Sequence, residues 1–108
     1  MFRVEITESA EADIQSQFDW WRLNRSTEQA QRWYRRIWTA IRSLRRTATR
    51  CPASRESELH PDGLRELLFG IGRRPTHRNV FAIEDQIVRE FRVRHVAQQS
   101  LRADDLEG

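Results

Sequence analysis

The chain contains no lysine, although 19 of its 108 residues are arginine. It has a single cysteine, Cys51, which excludes an internal disulfide framework and is typical of a reducing compartment. No stretch approaches the roughly 18 apolar residues that span a bilayer, and the first residues lack the apolar core of a signal peptide. These absences favour a cytoplasmic protein that has no membrane partner.

Residues that could hold a metal or a nucleotide are also scarce. The histidines, His60, His77 and His95, lie 17 and 18 residues apart, and Cys51 has no second cysteine with which to form a zinc motif. The pair Gly70 and Gly72 is not followed by the third glycine or the helix start of a nucleotide-binding loop. We therefore expect neither a metal nor a cofactor.

The composition is that of a folded domain with a strongly charged surface. Hydrophobic residues make up 38% of the chain and charged residues 32%. The aromatic content of 9% argues against disorder, because disordered chains are poor in aromatic residues. A length of 108 residues fits one domain. We assign residues 1–101 to this domain and expect residues 102–108 to form an exposed tail.

Charge is unevenly distributed along the chain, although the net charge is only +3. Residues 1–28 carry three arginines and six acids, residues 29–55 carry eight arginines and no acid, and residues 56–108 carry eight arginines and ten acids. The basic middle block favours an anionic partner. An arginine-rich helix that only presents a solvated face to water explains the same count equally well.

Periodicity predicts a strand and then two helices. Apolar and polar residues alternate from Phe2 to Ile6, as in a half-buried strand. A first helix is predicted over residues 9–23, where Thr7 or Ser9 can serve as the N-cap. A capping box at residues 26–29 begins a second helix, predicted over residues 27–48. Its apolar stripe consists of Ala30, Trp33, Tyr34, Ile37, Ile41, Leu44 and Ala48.

The second half of the chain predicts a sheet that packs against this helical hairpin. Strands are predicted at residues 64–69, 78–83 and 87–93, and the last of them is expected to carry Ile87, Phe91 and Val93 on one face. The loop between the first two of these strands carries Arg73 and Arg74. The fold class is therefore α+β: an N-terminal strand, an antiparallel helical hairpin, and a three-stranded antiparallel meander that forms one sheet.

Basic side chains on the last three predicted strands are the best candidates for catalysis. Arg65, Arg78 and Arg94 can clamp a phosphate and stabilise the charge that develops on it. His95 can transfer a proton near neutral pH. Together they would suit cleavage of RNA by its own 2′-hydroxyl without a metal. The same residues also have a purely structural explanation, in which the arginines at the strand ends are only solvated and His95 lies at the edge of the core.

Three groups of motifs occur in order along the chain. Residues 2–14 read Phe-Arg-Val-Glu-Ile-Thr-Glu-Ser-Ala-Glu-Ala-Asp-Ile, and Ala30-x-x-Trp-Tyr is followed by the apolar stripe and by Pro52. The last group consists of Leu64 to Leu67, His77 to Ile83 and Ile87 to His95. In this order and spacing, over residues 2–101, the chain resembles the RelE/ParE superfamily of toxins from bacterial type II toxin–antitoxin systems.

The resemblance implies a toxin that is held inactive in a hetero-oligomer with a cognate antitoxin. It leaves two targets open, because RelE-like members cut messenger RNA on the ribosome whereas ParE-like members poison DNA gyrase. Arg65 matches the second-strand arginine of the superfamily, and Arg94 with His95 matches the position of a basic catalytic residue in RelE-like members. A degenerate toxin that survives only as a regulator is a third reading.

Departures from the RelE-like pattern favour the ParE-like reading. The lysines before the second strand are absent, and the single tyrosine, Tyr34, lies in the second predicted helix instead of at the C-terminus. We expect the antitoxin or the target to bind exposed aromatic and basic residues: Trp20, Trp38, Arg35, Arg42, Arg46, Arg73 and Arg74. Trp20 and Trp21 are adjacent and point about 100° apart on a helix, so at least one tryptophan is expected at the surface.

Overall fold

A mixed sheet with a helical hairpin on one face makes up the fold. The computed structural model describes residues 1–106, so Glu107 and Gly108 of the expected tail lie outside the described residues. Within this range the main elements are β1 (Arg3–Ile6), α1 (Glu8–Asn24), α2 (Thr27–Thr47), β2 (Arg65–Phe69), β3 (His77–Glu84) and β4 (Ile87–His95). The sheet order is β1-β4-β3-β2, in which β1 runs parallel to β4 and the other neighbours are antiparallel. The predicted fold class is confirmed. None of the helices in this range is long and apolar enough to cross a membrane.

Side-chain hydrogen bonds at the first turns fix where the two helices begin. The hydroxyl of Thr7 accepts from the backbone N–H of Ala10 at 3.1 Å, so Thr7, and not Ser9, is the cap of α1. The hydroxyl of Ser26 accepts from the N–H of Gln29, also at 3.1 Å. Only two residues separate the helices, which forces them to return antiparallel.

The predicted apolar stripe of α2 forms the main core. Its buried members are Ala30, Trp33, Ile37, Ile41 and Leu44. They pack against Ile14 on α1 and against apolar side chains of all four strands, including Val4, Phe69, Phe81, Val88 and Val93. Tyr34 is an exception to the predicted stripe, because it lies at the edge of the helix against Phe18 and is 40% exposed.

A β-bulge in β4 changes which side chains enter this core. Val80 pairs with Arg92 but the next residue, Phe81, pairs with Glu90, so Phe91 is an extra residue on β4. Such an insertion reverses the side-chain alternation beyond it. Val93 therefore faces the helices, whereas Phe91 packs on the opposite sheet face with Val80. The prediction that Ile87, Phe91 and Val93 share one face is wrong for this reason.

The residues after β4 return across the sheet face that the helices leave open. Leu101 is 4% exposed in a cluster with Leu64, Val80, Ala82 and Phe91. Ala103–Leu106 forms a 3-10 turn, and Leu106 packs against the same cluster. Residues 102–104 are exposed, whereas Asp105 and Leu106 are half-buried.

The side chain of Glu90 is the least expected component of the core. It is fully buried, and neither of its carboxyl oxygens has a hydrogen-bond partner within the described residues. Burial, with a smaller contribution from the nearby Asp13, raises the pKa of Glu90 well above its ordinary value of 4.5. Glu90 is therefore a neutral carboxylic acid in the native state over a pH range in which the unfolded chain ionises it.

We expect Glu90→Leu to raise the free energy of unfolding by about 1–3 kcal/mol at neutral pH, because the change removes a buried polar group that has no partner. Wild-type stability should fall as pH rises from 4.5 to the raised pKa, since over this range the unfolded chain loses the proton of Glu90 whereas the native state keeps it. Urea denaturation across this range measures both effects. Glu90→Gln is the matched control, because it keeps the shape and removes only the pH dependence. Destabilisation by Glu90→Leu would show that the carboxyl group has a stabilising partner.

Candidate functional site

The structure does not bring the four candidate catalytic residues to one point. Arg65 pairs with Phe81 in the sheet and faces the helices, where its guanidinium donates to the carbonyl oxygens of Thr49 and Cys51 at 3.0 and 2.8 Å. These two hydrogen bonds attach the segment that follows α2 to strand β2. His95 pairs with His77 at the other end of β3, about 13 Å from Phe81 at roughly 3.3 Å per residue.

Arg78 is committed to a buried ion-pair network. Its side chain is 3% exposed and donates to both carboxyl oxygens of Glu56 and, at 3.2 Å, to Glu66. Burial acts to raise the pKa of Glu56, but the hydrogen bonds from Arg78 and from the backbone N–H of Leu101 outweigh it and lower that pKa to about 2. The charge of Arg78 is therefore neutralised inside the protein, so that a phosphate would have to displace two carboxylates to reach it.

Arg94 and His95 point to opposite faces of the sheet, because they are adjacent on β4. Arg94 is half-buried beside Arg78 on the face away from the helices, and it donates to the carbonyl oxygen of Gln99 at 3.2 Å. His95 is exposed on the other side. Arg78 and Arg94 thus share one face, while Arg65 and His95 lie far apart on the other.

His95 contributes to a different site, a cleft of roughly 400 Å³ beside the C-terminal end of α1 and the loop that joins the two helices. We call it the histidine–tryptophan cleft, and its lining residues are Gln17, Trp20, Trp21, Arg25, Thr76, His77, His95 and Gln98. Sequence reasoning proposed Trp20 and His95 for binding or catalysis but missed the others. The adjacent tryptophans were a signal in the sequence that one of them lies at the surface. That Arg25 and His77 line the same cleft depends on how α1 lies against β4, which the sequence does not show.

Contacts between α1 and the free edge of β4 build this cleft. β1 ends at Ile6 opposite Glu90, so among residues 1–106 the rest of β4 has no neighbouring strand on that side. The carboxylate of Asp13 accepts from the backbone N–H of Val93 at 2.9 Å and from the Arg92 guanidinium at 2.7 and 2.8 Å. One turn later, the amide of Gln17 donates to the carbonyl oxygen of Val93 at 2.8 Å. The next turn of α1 places Trp20 and Trp21 beside His95.

His77 forms the floor of the cleft in one defined protonation state. Its Nδ1 is 3.4 Å from the indole nitrogen of Trp33, which donates, and 2.8 Å from the Thr76 hydroxyl. Its ring also contacts Phe69 and the His95 imidazole, with centroid distances of 5.4 and 5.2 Å. Burial, and then the proximity of His95, lower the pKa of His77 to about 4. The ring is therefore neutral at physiological pH, and the donors to Nδ1 place its proton on Nε2.

The cleft has the chemistry of a binding site for a protein side chain or another small group. Trp20 is 48% exposed, and the Arg25 guanidinium lies 5.8 Å from the centroid of its ring. His95 accepts from the backbone N–H of Ala97 through Nδ1 at 3.0 Å, which leaves its Nε2 directed away from that contact. Arg25 is the arginine that lines the cleft, so the phosphate-clamping set predicted from the sequence is not assembled around His95.

The remaining predicted binding residues lie on other surfaces. Arg35, Arg42 and Arg46 are exposed on α2, and Arg73 and Arg74 are exposed in the loop between β2 and β3. Trp38 is half-buried at the edge of α2, where its ring lies 6.1 Å from Tyr34. Among residues 1–106, no three histidine, cysteine, aspartate or glutamate side chains come together in a way that could hold a metal ion.

Comparison with known proteins places this architecture in a family. Residues 4–100 match the family model described as the ParE toxin of the type II toxin–antitoxin system parDE. A solved chain from the chromosomal ParDE toxin–antitoxin system of P. aeruginosa superimposes with a TM-score of 0.71 and 19% sequence identity, over 89% of this chain and 97% of that one. A search of curated proteins finds no significant sequence match.

The neutral state of His77 predicts acid sensitivity. The unfolded chain gains a proton on this residue below its ordinary pKa of 6.5, whereas the native protein gains it only near pH 4. The free energy of unfolding should therefore fall as pH falls from 6.5 to 4, by up to about 1.4 kcal/mol per pH unit. Urea denaturation of wild type and His77→Gln should show that this slope is lost in the variant. His95→Gln is the control and should keep most of it, because burial is the larger cause; equal slopes in wild type and His77→Gln would contradict the assignment.

Proposed function

The chain belongs to the ParE toxin family of type II toxin–antitoxin systems, and from this premise we propose that it inhibits DNA gyrase and is neutralised by a cognate antitoxin. It is the toxin component of such a module. Gyrase is the target that membership of the ParE-like branch favours. The proposal includes action in the cytoplasm, where the free thiol of Cys51 would stay reduced.

The candidate nuclease residues do not come together at one point, and this observation favours gyrase over RNA as the target. Metal-free cleavage of RNA needs fixed positive charge and a proton-transfer group around one phosphate. Arg78 is instead neutralised by Glu56 and Glu66, and Arg65 is bonded to backbone carbonyl oxygens. His95 lies apart from both, and Arg94 points to the opposite face of the sheet, so the predicted set of arginines does not surround it. A toxin that acts by binding a protein has no such requirement.

The histidine–tryptophan cleft is the surface best suited to the antitoxin. Trp20 is half-exposed there, Leu23 lies one turn further along α1 at 72% exposure, and Val96 follows His95 at 36%. Tryptophan and arginine are the side chains that most often dominate the energy of an interface, and Trp20 and Arg25 already lie against each other. An antitoxin segment that fills the cleft would bury these apolar side chains together.

Gyrase and RNA assays decide between the two targets. The purified toxin should inhibit DNA supercoiling by gyrase and leave messenger RNA intact, with or without ribosomes. His95→Ala tests the alternative, because loss of a positioned acid or base lowers a reaction rate by about 10²-fold or more. Arg102→Ala, an exposed change beside Leu101, is the control. Ribosome-dependent cleavage that disappears in His95→Ala and persists in Arg102→Ala would establish the RelE-like nuclease instead.

The antitoxin proposal predicts a specific loss of affinity. Trp20→Ala should weaken antitoxin binding by at least about tenfold, as for a central interface tryptophan. The variant should keep its fold, because the side chain is 48% exposed. Leu59→Ala, which removes an apolar side chain of 37% exposure elsewhere, is the matched control. Calorimetric titration gives the affinities, and hydrogen exchange should show protection of the second half of α1 in the complex. Unchanged affinity and unprotected α1 would exclude the cleft.

A further inference from the structure

The outer surface of α2 carries a row of arginines that is separate from the histidine–tryptophan cleft. At about 100° per residue, Arg35, Arg42 and Arg46 fall within about 40° of one another and point away from the buried Ile37. Arg32 and Arg36 flank them on the side remote from Tyr34. We call these five residues, Arg32, Arg35, Arg36, Arg42 and Arg46, the arginine stripe; all of them are exposed. From Arg32 to Arg46 the row extends about 21 Å at 1.5 Å per residue.

The positive charge of this stripe is not neutralised by the protein. In the part of the chain that the structure describes, none of the five arginines forms an ion pair, although Arg78, Arg89 and Arg92 each pair with two different acids. Residues 29–55 contain no acid at all. Thr39 and Ser43, which lie between these arginines, are too small to cover the guanidinium groups. Glu28 lies on the same surface one turn before Arg32, and within residues 1–106 it makes no ion pair with any of the five arginines. An exposed unpaired row of one sign attracts a polyanion.

The stripe is also held rigidly. The opposite side of α2 is anchored in the core by Trp33, Ile37, Ile41 and Leu44, each of which is at most 2% exposed. The backbone positions that carry the arginines are therefore ordered before any partner binds. Binding loses less entropy when the backbone does not have to be ordered at the same time.

The chemistry of the stripe favours a duplex over other polyanions. Proteins that bind single strands place aromatic rings among their basic residues, so that bases can stack on them. Two aromatic residues of α2, Tyr34 and Trp38, border the stripe beside Arg35 and Arg42. Their rings are held in edge-to-face contacts with each other and, for Tyr34, with Phe18 of α1, instead of standing between the arginines as stacking platforms. An acidic helical peptide would need apolar anchors, and the stripe offers only arginine, threonine and serine. A duplex displays phosphates at regular intervals and needs neither rings nor anchors.

We propose that the arginine stripe of α2 binds the phosphate backbone of double-stranded DNA. The contacts are between guanidinium groups and phosphates, and they are independent of sequence. This activity belongs to the toxin itself and does not depend on which protein the toxin inhibits. It is therefore testable without gyrase and without the antitoxin.

The test is fluorescence anisotropy of the full-length toxin with a labelled mixed-sequence DNA duplex at increasing salt. The variant Arg35→Gln/Arg42→Gln/Arg46→Gln should bind at least about tenfold more weakly at low salt. The slope of log affinity against log salt should become shallower by about 3, since each lost phosphate contact contributes close to one. Substitution of the same three residues by lysine should restore most of the binding, because lysine also pairs with phosphate.

A charge-matched control separates the stripe from the net charge. Arg3→Gln/Arg22→Gln/Arg102→Gln removes the same three charges from exposed positions outside α2, and it should weaken binding by less than about threefold. Equal losses in both triple variants would overturn the proposal, because they would show attraction to net charge alone. The proposal would also be overturned if the wild-type toxin did not bind the duplex at low salt. The same holds if it bound a single strand or an RNA duplex more tightly, or if an equal charge of polyglutamate displaced the DNA.

Discussion

The carboxylate of Asp13 attaches the helical hairpin to the sheet, and the geometry of the candidate site depends on it. β1 is too short to cover all of β4, so the backbone of β4 beyond Glu90 needs partners other than a strand. Asp13 satisfies the N–H of Val93 and at the same time pairs with Arg92. Because α1 is fixed at this point, its later turns lie over the end of β4. The histidine–tryptophan cleft is the space enclosed between them.

Arginines have two opposite roles in this chain, and burial separates them. Arg78 and Arg92 are held by carboxylates inside or at the edge of the fold, where an unpaired charge would cost several kcal/mol. The arginines of the stripe stay in water, where an unpaired charge costs little and remains free to attract a partner. The same residue type therefore stabilises the sheet in one place and forms a recognition surface in another. Lysine would be a poorer substitute at the buried sites, because its ammonium group cannot make the bidentate contact of Arg78 with Glu56.

Local signals predicted the helices and strands closely. The N-caps at Thr7 and Ser26 and the apolar stripe of α2 are encoded within a few residues, so a short window of sequence suffices to find them. The side-chain order in β4 was not predictable in this way. The alternation in its sequence is that of a regular strand, and the bulge at Phe91 exists only in relation to the register of β3.

The sequence by itself determined the elements, the α+β class, the family resemblance and the surface position of the α2 arginines, because each follows from neighbours along the chain or from motif order. Only the tertiary structure decided which basic residues remain available. Glu56 lies 22 positions from Arg78, and the indole of Trp33 lies 44 positions from the imidazole that it contacts. The neutralisation of Arg78, the neutral state of His77 and the cleft beside His95 all arise from such distant pairs. Their energies depend on burial and on distance in space, neither of which is encoded in the spacing of residues along the chain.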